Sequence, residues 1–178
     1  MSHLTSLVGP FDWSLALGTA FGSNLESTQP PALGQLIEAW HASDSRAEES
    51  LAHYLSLLLS RLSRETTIHI MADLPKGFNS DAPLSLSALL RSDGPLVDVY
   101  QPEFWSCTKA LSYASLDLQS GTDDDLVGIR VPVAGSRVLL LDGVYDRPHL
   151  ASHCAHVLKS RGAVWVGYLT LLTTEATA

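Results

Sequence analysis

Positive charge is scarce in this chain of 178 residues: 11 Lys and Arg stand against 19 Asp and Glu, for a net charge of −8 at neutral pH. That balance argues against a broad basic face for duplex DNA and against recruitment to an acidic membrane surface, since both partners are polyanions held by clustered cations. Cysteine is scarcer still. Cys107 and Cys154 are the only two, and they form neither a metal-binding pair nor a disulfide framework. No apolar run has the length of a membrane-spanning helix; residues 55–62 are too few and carry Ser56, Ser60 and Arg61. The first residues lack the basic, apolar and small-residue segments of a secretory signal. These absences lead to the expectation of a cytoplasmic protein with no membrane partner and no resident metal.

What is there reads as a folded domain. Apolar residues make up 46% of the chain and charged residues 17%, which suits one globular core and not a disordered segment. Residues 1–31 are irregular and rich in Gly, Ser and Pro, yet hold Phe11, Trp13 and Phe21, so they read as a small N-terminal hood or edge segment. Residues 32–178 read as the main domain. Leu33, Leu36, Ile37 and Trp40 fall on one face of a helix that Pro31 opens. Leu51, Leu55, Leu58 and Leu62 stripe a second helix over residues 46–62, capped by Asp44 or Ser45. Strands are expected over 67–72, 96–100, 127–133, 138–141 and 164–172, with further helices over 84–91 and 150–161. Residues 101–126 show no clean period and carry Asp117 and the acidic run Asp123, Asp124, Asp125. Strands alternating with helices predict an α/β fold: a mostly parallel sheet, flanking helices, and ligands bound at the carboxyl ends of the strands.

The densest signal is residues 137–163, RVLLLDGVYDRPHLASHCAHVLKSRGA. An apolar strand ends in Asp142, a short turn follows, then a helix, then the stop Gly162. An acid at a strand end accepts sugar hydroxyls, and a helix N-terminus offers unpaired amides to a phosphate. The stretch resembles the signature of type I phosphoribosyltransferases, an apolar strand, two acids and a Thr-Thr-Gly-x-Thr loop, and is most similar to the ComF-type branch. The order of elements over residues 33–172 is consistent with that family. The resemblance implies a phosphoribosyltransferase-like fold, phosphoribosyl pyrophosphate or a nucleotide as ligand, and Mg as cofactor if the protein is active.

Carried over residue by residue, the resemblance implies a ribose-phosphate site at Asp142, Gly143, Asp146, Arg147 and His149. It implies a pyrophosphate loop at Pro75 and Lys76, and a flap carrying Lys109. The departures are physical. Gly143 stands where the second acid belongs and offers no side-chain acceptor. Asp146, at the first loop threonine, would partly replace that acid but repels a phosphate. Pro148 replaces the loop glycine and has no amide hydrogen to donate, whereas proline suits the first turn of a helix. Arg147 and His149 would supply positive charge, with binding of an anion strengthening as His149 protonates. The ComF-type zinc knuckle has no cysteine pairs here.

Each of these residues also has a plainer reading. Asp142 would cap its turn, Lys76 would be a solvated lysine, and His149, His153 and His156 would be surface histidines. Trp40 and Trp165 read as core. Trp105, near the strand ends, is the tryptophan placed to stack on a base. Three functions follow: a degenerate, non-catalytic module binding a nucleotide, nucleic acid or protein; an active, Mg-dependent phosphoribosyltransferase; or a competence or DNA-repair accessory protein binding single-stranded DNA. The first is favoured, because one acid, the loop glycine and the loop threonines are lost together. A homodimer is a further possibility raised by the resemblance.

Overall fold

The computed structural model describes residues 9–19, 32–75, 86–90, 94–107, 127–145 and 148–173. In chain order the elements are strand β1 (Trp13–Thr19), helices α1 (Ala32–His41) and α2 (Ser45–Glu65), strands β2 (Ile70–Asp73), β3 (Trp105–Cys107), β4 (Val127–Ile129) and β5 (Arg137–Tyr145), helix α3 (Pro148–Ser160) and strand β6 (Trp165–Thr173). Strands β1, β6, β5 and β2 lie in that order in one sheet, every pair parallel. The α/β architecture with flanking helices is the one the alternating pattern predicts. None of the described helices is long and apolar enough to cross a membrane.

Strand β5 sits centrally because its sequence tolerates burial on both faces. Val138, Leu139, Leu140 and Leu141 are all fully buried, the mark of a strand covered by helices on each side. Leu139 and Leu141 face α1 and α2, packing with Leu51, Leu55 and Leu59. Val138 and Leu140 face α3, packing with Leu150, Cys154 and Leu158 and with Phe104 and Val127 of the smaller sheet region. Asp44 caps α2, accepting from the Arg46 amide at 2.8 Å, which satisfies a backbone donor the helix itself cannot.

Three expected elements differ, and one strand was not expected. Residues 96–100 do not form a strand. Leu96 follows Pro95 with φ of 66°, which turns the chain out of extended geometry into a short 3₁₀ turn, Val97–Val99. Only Tyr100 reaches the sheet, as an isolated parallel bridge to Met71. Within the helix expected over 84–91, the described residues form a single 3₁₀ turn, Leu86–Leu89. The strand expected over 127–133 stops at Ile129 and pairs antiparallel with β3 in a separate two-stranded sheet. Pro132, with no amide hydrogen, cannot extend that ladder. Finally, β1 arises inside a segment that reads as irregular and forms the sheet edge beside β6.

One carboxylate anchors that edge. Asp12 accepts from the Val166 amide at 2.6 Å and pairs with Lys159 at the end of α3. Burial pushes the Asp12 carboxyl up, but the Lys159 and Val166 hydrogen bonds and the charges of Lys159 and Arg137 together bring it below its ordinary value. A depressed folded-state pKa contributes stability above the unfolded value of about 3.9 and loses it as pH falls through the lower folded one. Thermal melts between neutral pH and pH 3 should therefore show an acid-side loss of stability that is shallower in Asp12→Asn. Identical acid limbs would remove Asp12 from the account.

Candidate functional site

The expected ribose-phosphate site begins at Asp142. In the structure β5 continues past this residue, pairing Val144 with Leu172 and Tyr145 with Thr173. Asp142 thus lies within the strand, opposite Thr170, not at its carboxyl end. It is 9% exposed and faces the α3 side of the sheet with Leu140. The Tyr168 hydroxyl donates to Oδ2 at 2.6 Å, and the Gly143 amide donates to Oδ1 at 2.8 Å. Tyr168 pairs with Leu140 across the two strands, so it meets Asp142 diagonally, within reach of a long aromatic side chain. Tyr168 is fully buried, and Phe11 stacks on its ring with centroids 4.9 Å apart. Both oxygens of the signature acid are therefore engaged inside the protein.

Helix α3 opens at Pro148, two residues before the expected start, with the proline in the first turn where its missing amide hydrogen costs nothing. Gly143 is buried and His149 is exposed. Asp146 and Arg147 lie outside the described residues, as do Lys76 and Lys109. Pro75 is described and buried. His156 is exposed, its Nδ1 2.9 Å from the Ser152 carbonyl oxygen, whereas His153 is half-buried and not a free surface residue. Trp40 is half-buried against the α1–α2 core, and Trp165 lies under the Arg137 guanidinium at 5.1 Å. Among the described residues no group of three or more His, Cys, Asp and Glu side chains could hold a metal ion.

A second acid stands at a strand's carboxyl end. Asp73 closes β2, the position at which parallel sheets present ligands. The Ser87 hydroxyl donates to its Oδ2 at 2.6 Å and the Tyr100 hydroxyl donates to the same oxygen at 2.8 Å. The Trp105 indole N–H donates to the Asp73 carbonyl at 2.7 Å. Oδ1 is buried and has no hydrogen-bond partner among the described residues. Asp73, Pro75, Ser87, Tyr100, Gln101 and Trp105 line a cavity of about 440 Å³, walled also by Leu74, Pro102 and Phe104. Burial, with Asp73 adding to it against an opposing Ser87 hydrogen bond, pushes the Tyr100 phenol up to about 12. Tyr100 therefore remains a protonated donor across the physiological range.

Sequence reading missed this group because it ends the strand at Ala72 and gives Asp73 to the following loop. The partners that converge on Asp73 come from 14, 27 and 32 residues away. The available signal was the rule already applied to Asp142, an acid where a buried strand ends.

A scan against protein-family models gives no match, and a search of curated proteins finds no similar sequence.

The Asp142–Tyr168 contact has a measurable consequence. Tyr168→Phe removes a donor from a buried carboxyl group while keeping the ring under Phe11, and removing one partner from a buried polar group costs about 1–3 kcal/mol. Urea unfolding of the variant should show a stability loss in that range with an unchanged slope. A loss below about 0.5 kcal/mol, the size of an ordinary surface substitution, would show that the contact carries no weight.

Proposed function

We propose that this protein is a non-catalytic binding module on a phosphoribosyltransferase-like α/β framework, with a degenerate ribose-phosphate site. The observation that carries the reading is the engagement of Asp142: the acid that would accept ribose hydroxyls receives the Tyr168 hydroxyl and the Gly143 amide instead. Recruiting it for a sugar would mean breaking a buried hydrogen bond and uncovering a side chain that is 9% exposed. Gly143 supplies no second acceptor. Pro148, in the first turn of α3, supplies no amide to a phosphate.

The pyrophosphate side supports the same reading. Pro75 shares its cavity with the Asp73 carboxylate, and a carboxylate beside pyrophosphate is repulsive without an intervening cation. The single-stranded DNA reading gains nothing from Trp105, whose indole N–H is held by the Asp73 carbonyl next to that same carboxylate. A phosphodiester chain there would meet negative charge.

With phosphoribosyl pyrophosphate, Mg and each of the common nucleobases, the purified protein should release no pyrophosphate above the protein-free background. Turnover that disappears in Asp142→Asn would overturn the proposal and establish the active phosphoribosyltransferase in its place.

A further inference from the structure

We propose that the Asp73 cavity is a binding site for a flat cationic nitrogen group, an amidinium or guanidinium type of ligand, held by the Asp73 carboxylate between aromatic walls. The hydroxyls of Ser87 and Tyr100 and the indole N–H of Trp105 are all directed at Asp73. Among the described lining side chains, only the Gln101 amide retains N–H donors for a guest. What the wall offers is mostly acceptor: the carboxylate of Asp73 and the phenolic oxygen of Tyr100. Such a wall favours a donor-rich guest and disfavours an anion.

Charge and shape agree. Asp73 is the only charged residue among the described residues lining the cavity, and none of those described residues is cationic. Its Oδ1 is buried without a partner among the described residues, a state that is costly for a carboxyl oxygen and that a guest N–H relieves once a small rotation of the carboxyl group brings that oxygen to the cavity wall. Ser87 and Tyr100 both hold Oδ2, which keeps the carboxylate in the cavity wall before any guest arrives and limits the ordering left to be done on binding. Tyr100, Phe104 and Trp105 line the same space, and Phe104 and Trp105 hold each other edge to face at 4.8 Å. Aromatic faces attract a desolvated cation through the ring quadrupole. The volume, about 440 Å³, falls within the usual range for small-molecule sites, about 300–1,000 Å³. A planar cation with paired N–H groups matches a carboxylate in two-point geometry, which a spherical ammonium does not.

The inference stands apart from the ribose-phosphate reading, since it uses neither Asp142 nor the α3 N-terminus. Its test is protein-observed NMR with three isosteric probes, benzamidine, benzamide and benzoate, titrated to millimolar concentration. Benzamidine should shift the amides of Leu74, Gln101 and Phe104 and the Trp105 indole N–H; benzamide should do so more weakly, and benzoate should not. Asp73→Asn should weaken benzamidine by at least about tenfold, as expected when one partner of a charge-paired contact is neutralised. Asp98→Asn, which alters an exposed acid outside the cavity, should leave binding unchanged. Should Asp73→Asn fail to fold, Gln101→Lys places a competing cation in the same cavity and should abolish benzamidine binding. Equal shifts with benzoate, no shifts with benzamidine, or benzamidine binding unaltered in Asp73→Asn or Gln101→Lys would overturn the proposal. Pyrophosphate release from phosphoribosyl pyrophosphate bears only on Asp142, so the two readings fail separately.

Discussion

One buried hydrogen bond, from the Tyr168 hydroxyl to the Asp142 carboxyl group, makes the acid of β5 part of the core. It is set by the register of β5 and β6, which places Asp142 opposite Thr170 and Tyr168 opposite Leu140. A one-residue slip would move the tyrosine to the other face of the sheet, away from the acid. The register is in turn fixed by two cores, because the leucines of β5 alternate between α3 on one side and α1 and α2 on the other. Phe11 closes over the tyrosine ring, and Asp12, the next residue, ties the same segment to β6 and α3. The edge strand and the buried acid are thus parts of one arrangement.

That arrangement divides the carboxyl end of the sheet. At β5 the acid is turned inward and β5 runs on for three more residues, so a polar group that could serve a ligand serves the fold. At β2 the strand stops on its acid, and three donors converge on Asp73 without filling Oδ1. Buried polar groups usually find all their partners. An arrangement that spends three donors on one residue and leaves one oxygen unpaired among the described residues places an acid in a cavity at the carboxyl end of the sheet.

Much of the framework was legible in the sequence. The leucine stripe of α2, the α3 stripe and the continuous apolar run of β5 each carry a signal that burial explains, and the acidic cap of α2 carries one that an unpaired backbone amide explains. The places where the reading failed have local causes. Strand β1 hides among glycines and serines because its stability comes from β6 and from Asp12, not from its own pattern. Residues 96–100 have strand-like composition, but Leu96 adopts a left-handed backbone after Pro95. The site was legible only in part. Asp142 stood out from its context, yet nothing in the one-dimensional pattern reveals that a tyrosine 26 residues later occupies it. Asp73 was passed over because its partners are brought together only by the fold.

The central claim is that Asp142 belongs to the interior. The most direct measurement is the Tyr168 hydroxyl proton itself, observed by NMR and assigned by its loss in Tyr168→Phe. A hydroxyl buried against a carboxyl group should exchange slowly enough with water to be seen, and its resonance should stay in place when phosphoribosyl pyrophosphate and Mg are added at millimolar concentration. A resonance that shifts or vanishes on that addition, and is restored when the ligand is removed, would show that the sugar takes Asp142 from the tyrosine and would contradict the account.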